Sequence, residues 1–403
     1  MWVLMLLIVQ GFNIVPSALF NKINGNQQEI LVVLVIVIYF VLHDKLKIRI
    51  TRTDYFAKLI IAFVGYYFLE LFVSSIRNGQ GILNAFIASN FYLTILIYFI
   101  CLDFYAQKGR DSFYKILIIF SCIKVALCWL QYILAFKGIY FMSEGVMAIR
   151  FGTIRLYNMG DTFNCLGIIV AFAYLVGDKK HDKNRYVYIL LCVFGFLGML
   201  LISKGRLQLL ALCAGVYSVI YSKNKKKKKM LLYLVLLMIA LAVFLQSSIG
   251  KTYIESISNP DTDTLGIRSR EIAYYNNQTK EHLLLGVGFI RDNGDKMSDY
   301  LKGPAHQYSR TDVGLVGVAN ALGLVGAAWY VTVTFLMLKR LKKIKQQLPD
   351  DEYRILLGFV VNSIFCIPTV IWFNPYGVTA FGILMSLIES RYRELMKNRI
   401  SQG

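Results

Sequence analysis

Residues 247–312 read SSIGKTYIESISNPDTDTLGIRSREIAYYNNQTKEHLLLGVGFIRDNGDKMSDYLKGPAHQYSRTD and run without a break into VGLVGVANALGLVGAAWYV at 313–331. The first stretch is the one long polar interruption in a chain of apolar runs joined by short polar connections; the second is such a run, rich in glycine. A chain of 403 residues that is 57% hydrophobic and 17% charged, with a mean hydropathy of +0.54, belongs to the polytopic membrane class. The polar interruption is therefore a loop outside the bilayer, and it holds His282, His306 and most of the polar side chains able to perform chemistry.

About 20 mostly apolar residues cross the hydrocarbon core. On that template the sequence predicts an all-α fold of about twelve spans: 1–20, 28–43, 55–74, 81–101, 114–136, 161–177, 186–203, 206–222, 230–246, 313–338, 353–373 and 376–390. With Met1 inside, the short cytoplasmic connections carry 26 Lys and Arg and the short external ones 7. Cationic loops resist translocation, so this bias predicts both termini in the cytoplasm and the 247–312 loop outside. The run KNKKKKK at 223–229 reads as a stop-transfer anchor, so the net charge of +20 implies a lipid bilayer and not nucleic acid as partner. The seven cysteines lie in or beside apolar runs, which predicts neither a disulfide framework nor a metal cluster. Met1–Phe20 lacks a basic n-region and a small-residue cleavage site, so a retained helix is expected there. No repeat or linker divides the chain, and residues 1–403 form a single membrane domain with the loop as a cap.

Lipid satisfies no polar group, so ionisable residues at membrane depth mark function or interhelix pairing. Glu70 and Lys124 are two of these, and a pairing between them is one hypothesis. Ile202-Ser203-Lys204-Gly205-Arg206 is too short for anything except a tight external hairpin, which holds two cations at the membrane face. In the long loop Arg268, Arg270 and Tyr274 sit on the start of an amphipathic helix, Arg270 and Tyr274 four apart on one face. His306 lies close to Arg310 and Asp312 where the chain re-enters the membrane, a place where a base can be oriented and partly desolvated. Gly314, Gly317, Gly323 and Gly326 predict close helix packing in the last quoted stretch. There is no P-loop, no dinucleotide-binding glycine pattern, no nucleophile elbow and no metal-ligand spacing, which argues against ATP-driven transport.

The SKGR hairpin between two apolar runs, SREIAYY followed by LLLGVGF in a large external loop, and His306 ahead of a GLVG-containing helix resemble, in that order over 201–326, the O-antigen polymerase and O-antigen ligase superfamily of the Wzy and WaaL type. Lys204-Gly205-Arg206 stands where Ser-Arg-Gly is commoner, so the family arginine is Lys204 or Arg206 in this chain; Tyr274 stands for Trp, and Leu284 for Pro. The resemblance implies a metal-independent, inverting membrane glycosyltransferase of the C type, without cofactor, in the bacterial cytoplasmic membrane. Its substrates would be undecaprenyl-diphosphate-linked oligosaccharides: the new lipid-linked repeat unit offers a sugar hydroxyl to an anomeric carbon, and lipid diphosphate leaves. It implies Arg206 and Arg270 as the cations on the leaving group, His306 as base, and Lys204, Arg268, Tyr274, Arg310, Asp312 and Arg155 around the substrate. A chain-length regulator and a flippase of the same pathway are the implied protein partners. The expected activity is polymerisation of a surface polysaccharide such as capsule or O-antigen. A ligase moving finished glycan to another acceptor is the alternative within the family, and a flippase for lipid-linked oligosaccharide is the alternative outside it. A flippase needs charge along a central cavity, whereas this chain concentrates arginines and His306 in the external loop.

Overall fold

The computed structural model describes residues 27–42, 54–142, 147–150, 153–156, 162–177, 183–223, 264–292, 294–304, 308–375 and 377–402. In chain order these form α1 (Gln27–Leu42), α2 (Tyr55–Asn78), α3 (Ile82–Ser89), a 3-10 segment (Asn90–Leu96) and α4 (Ile97–Ala135), which is two helices meeting at Gly109. A hairpin of β1 (Met147–Arg150) and β2 (Thr153–Leu156) follows, with Met147 opposite Leu156. Then come α5 (Thr162–Val176), α6 (Arg185–Gly198) widening into a π turn (Met199–Ser203), α7 (Arg206–Lys223), α8 (Thr264–Glu281), α9 (Lys296–Lys302), α10 (Leu315–Ile344), α11 (Asp350–Phe365) and α12 (Val378–Gln402). The described residues are otherwise helical, in keeping with the all-α expectation, with the β1–β2 hairpin falling in the predicted 137–160 connection.

Among the described residues, four stretches are long and apolar enough to cross a membrane: Tyr55–Asn78, Ile82–Ala135, Arg185–Ser203 and Leu315–Gln347. Val32–Leu42, Thr162–Val176 and Leu207–Tyr221 are shorter apolar helices. The protein is thus a helical membrane protein. The predicted runs 1–20 and 230–246 lie outside the described residues. Ile61, Phe68, Leu69, Phe72 and Ile76 of α2 and Leu190, Val193, Phe194 and Leu197 of α6 are exposed, as side chains facing hydrocarbon must be, while every main-chain group of such a helix is bonded within it.

One end of the bundle is pinned by buried ion pairs. Glu352, at the start of α11, accepts from Arg110 Nη1 (3.0 Å), Arg391 Nη2 (2.8 Å) and Tyr105 OH (3.2 Å). Arg393 Nε bonds Asp54 (2.7 Å), and Arg340 pairs with Glu389, which also accepts from the Phe56 N–H at 3.3 Å. Glu352→Ala should destabilise the fold by roughly 3 kcal/mol, because two guanidiniums lose their buried partner. Thermal unfolding in detergent micelles checks this, with Glu352→Gln expected to fall between alanine and the native protein.

At the other end the polar loop is spliced into a helix. Gly323 takes φ 64° and ψ −173°, so α10 breaks there and its following N–H groups lose their partners one turn back. The loop replaces them: Leu324 N–H donates to Leu283 O (2.9 Å), Val325 N–H to Leu284 O (3.5 Å), and Val287 N–H to Asn320 O (2.7 Å) before the break. A methyl on Gly323 would lie 1.9 Å from Leu284 O. Close helix packing was the expected use of this glycine, and its use here is a correction: it admits loop backbone, not a neighbouring helix. Non-helical backbone survives at this depth because protein surrounds it. Asn320 fixes α8 on top, its Nδ2 donating to Tyr275 O (3.2 Å) and Gln278 Oε1 (3.1 Å).

Candidate active site

The segment Gly286-Val287-Gly288-Phe289 leaves the splice with three successive carbonyls unmet by regular structure, and polar side chains meet all three. Arg77 Nη1 donates to Gly286 O, Asn78 Nδ2 to Val287 O (3.1 Å) and Arg310 Nη1 to Gly288 O (2.7 Å). Gln80 holds the next stretch, accepting from Arg291 N–H (2.8 Å) and donating to Arg291 O (3.0 Å) and the Asp295 carboxylate (2.8 and 2.9 Å). Phe289 is thereby driven inward against Tyr67 (5.4 Å between ring centroids) and Tyr92 (5.8 Å), joining an aromatic core with Phe63, Trp329 and Phe373.

Over this core lies a cavity of about 320 Å³. Phe91, Tyr92, Phe289 and Phe373 give it an apolar side, and Asp292, Lys302, Tyr308, Ser309, Arg310 and Asn374 a polar one. Arg310 carries the sharpest feature. One nitrogen holds Gly288 O, while Nε and Nη2 are buried with no hydrogen-bond partner among the described residues. Burial lowers its pKa to about 10, opposed by Tyr275, Tyr92, Tyr300 and Glu70, so it remains a cation at neutral pH. A desolvated guanidinium with two free N–H faces suits an anion able to accept both bonds at once.

Two carboxylates of the loop, Asp292 and Glu271, are engaged within it. Asp292 bonds Lys302 (2.8 Å) and Ser298 Oγ (2.6 Å); burial would raise its pKa, but these two bonds hold it below the usual carboxylate range. Glu271 accepts from Ser309 N–H (3.1 Å), and burial raises its pKa. It thereby fixes the turn that aims Arg310.

The described residues singled out in the sequence fall into three groups. Arg310 lines the cavity, and Tyr274 stands at its rim, its hydroxyl donating to Tyr300 O (2.7 Å) and its ring 5.3 Å from that of Tyr308. Arg268, Arg270 and Asp312 are exposed and line no part of the cavity, although Arg270 and Tyr274 share α8 as expected. In the hairpin, Lys204, expected as a cation at the membrane face, takes a left-handed backbone (φ 54°) and is 5% exposed; Arg155 Nε clasps the turn through Ser203 O (2.7 Å). Arg206 opens α7. Because Gly215 meets Gly358 and Val219 lies alongside, α7 runs antiparallel to α11, which puts the head of α7 at the end of the bundle where residues 369–375 line the cavity. His306 lies outside the described residues; Tyr308, two positions on, lines the cavity.

The hypothesised Glu70–Lys124 pair is not formed. Neither Glu70 oxygen accepts a hydrogen bond, and the cations acting on it are Arg77 and Arg310. Arg77, Asn78 and Gln80 were missed in the sequence. Their signal is the dense polar cluster SSIRNGQ closing an otherwise apolar helix, more polarity than a helix end needs.

The O-antigen ligase family model matches residues 190–331. The match supports the resemblance of this stretch to the O-antigen polymerase and ligase superfamily. No curated protein matches the chain. The O-antigen ligase match spans most of α6, the SKGR turn, the whole loop and α10 through the splice, so the cavity's Arg310 belongs to it. The α2 cluster that holds the loop, and the 369–375 wall, come from outside the matched residues.

Proposed function

We propose that this protein polymerises undecaprenyl-diphosphate-linked oligosaccharide repeat units at the outer face of the cytoplasmic membrane, as a metal-independent, inverting glycosyltransferase of twelve spans with both termini inside. The observation that carries the reading is Arg310, a cation with two N–H faces unmet among the described residues, lining a cavity with an aromatic side within the family-matched stretch. In this reading the acceptor sugar hydroxyl attacks the anomeric carbon of the donor. The new glycosidic C–O bond forms as the bond from that carbon to the lipid diphosphate breaks, and the hydroxyl proton passes to His306. Arg310, with Arg206 and Arg270 from the turn and α8, takes the charge developing on the diphosphate, the role that fixed donors fill where charge appears in a transition state. Aromatic faces at Phe91 and Tyr92 suit sugar rings, and Asp292 and Asn374 suit hydroxyls. Lys204, Arg155, Arg268, Tyr274 and Asp312 support the turn and the rim. A chain-length regulator and a flippase of the same pathway would be its protein partners, and capsule or O-antigen its product.

The description of the matched family favours a second reading, a ligase with the same donor and leaving group but another acceptor. A strain lacking the gene, complemented with wild type or with His306→Ala at matched membrane levels, separates them. Under the polymerase reading the null strain and the variant hold single repeat units on the carrier, and wild type restores a ladder of long glycans. Finished long chains accumulating on the carrier in the null strain would establish the ligase. Repeat units trapped on the cytoplasmic leaflet would establish a flippase and end the enzyme reading.

A further inference from the structure

Glu70 lies on α2 two turns before Arg77, fully buried, and neither of its carboxyl oxygens has a hydrogen-bond partner among the described residues. The nearest hydroxyl is turned away, since Ser74 Oγ donates to the Glu70 main-chain oxygen (2.6 Å). The loop crosses directly over this acid at Gly288, whose φ is 90°; a Cβ there would meet Oε1 at 2.9 Å and Ser74 Cβ at 2.3 Å. The two guanidiniums beside Glu70 are each held by main chain instead of by the carboxyl: Arg77 by Gly286 O and Arg310 by Gly288 O. A buried acid left unbonded between two partly buried guanidiniums is costly as architecture, and ionisable groups at membrane depth are kept for function.

We propose that Glu70 is the counter-charge of the anion subsite, a positioning residue that acts through Arg310 to set how tightly the lipid diphosphate is held. The proposal rests on the reading of Arg310 as the diphosphate ligand. Cleavage of the sugar–phosphate bond leaves the product with one more ionisable oxygen than the donor, so a site built only of buried arginines holds its product more tightly than its substrate. A negative charge behind Arg310 offsets that difference and lets the leaving group exchange. The acid does not line the cavity and touches neither substrate nor reacting atoms.

The test uses the purified full-length protein in lipid nanodiscs at pH 8.5, with undecaprenyl diphosphate as probe and undecaprenol as its uncharged counterpart. Glu70→Gln and Glu70→Met should each bind undecaprenyl diphosphate about tenfold more tightly than wild type, the size of one unit charge acting at intermediate dielectric. Binding of undecaprenol should be unchanged. In turnover both variants should lower KM for the lipid-linked repeat unit together with kcat, because release slows, whereas Glu70→Asp should restore wild-type values. A merely structural role loosens binding and cannot tighten it. Variants that melt like wild type and bind the diphosphate equally or more weakly overturn the counter-charge while leaving the site reading intact. A wild-type protein with no affinity for undecaprenyl diphosphate overturns both.

Discussion

Arg310→Lys is expected to slow glycan extension by about a hundredfold or more, the scale of losing one aligned donor to a developing anion. The native guanidinium divides its work: Nη1 is fixed on Gly288 O at 2.7 Å while Nε and Nη2 stay free. A lysine ammonium keeps the charge but is a point donor on a flexible stem, unable to hold the carbonyl and offer a planar pair of N–H groups together. Arg310→Ala should lose still more and also leave the Gly288 carbonyl unmet, so the lysine variant isolates the geometry. The rate of product formation in membranes carrying equal amounts of protein, with melting temperatures alongside, separates lost chemistry from lost fold. A lysine variant extending glycan at close to the wild-type rate would mean that charge alone suffices.

Gly323→Ala is expected to prevent stable folding, at a cost of more than about 4 kcal/mol, in the range reserved for specific backbone failures. The methyl would fall 1.9 Å from Leu284 O and 2.6 Å from Leu285 N, both main-chain atoms that cannot swing aside. The residue also needs φ 64°, which only glycine adopts readily. Relief by straightening α10 would strip Leu283 O and Leu284 O of their partners and release Phe289 from the aromatic core. Membrane accumulation and thermal unfolding check this against Gly65→Ala, a helical glycine with no atom within 4 Å of its new methyl, which should be close to neutral.

These two positions show what the sequence carries and what it does not. The membrane class and the helices in most apolar runs were legible because an apolar stretch in lipid has few alternatives to a helix. The loop drew attention by its polarity, whereas Arg310 was named only as a neighbour of His306 and a residue around the substrate, behind Arg206 and Arg270. The splice was not legible. LLLGVGF and GLVG each read as apolar and glycine-rich, and nothing in either sequence says that their backbones pair across a helix break. The kink at Gly109 and the β1–β2 hairpin were lost for the same reason, because tertiary contacts set backbone breaks and short strands more than composition does. The polarity of Arg77, Asn78 and Gln80 was visible, but not its purpose, because their partners lie more than 200 residues away in the loop. Conversely, the four-residue spacing of Arg270 and Tyr274 was read correctly as a shared helix face, and yet one lies in solvent and the other at the cavity rim.

The central claim is that the cavity transfers glycan from a lipid diphosphate to another lipid-linked unit. Its most direct test is reconstitution of the purified protein in vesicles with one defined undecaprenyl-diphosphate-linked repeat unit and no other acceptor, following lipid-linked products by mass spectrometry. The account predicts dimers and longer chains on the carrier, with one undecaprenyl diphosphate released for each unit added, and neither from Arg310→Lys at comparable rates. Wild-type protein that leaves the repeat unit unextended under these conditions, yet transfers it once a different acceptor is supplied, would contradict polymerisation.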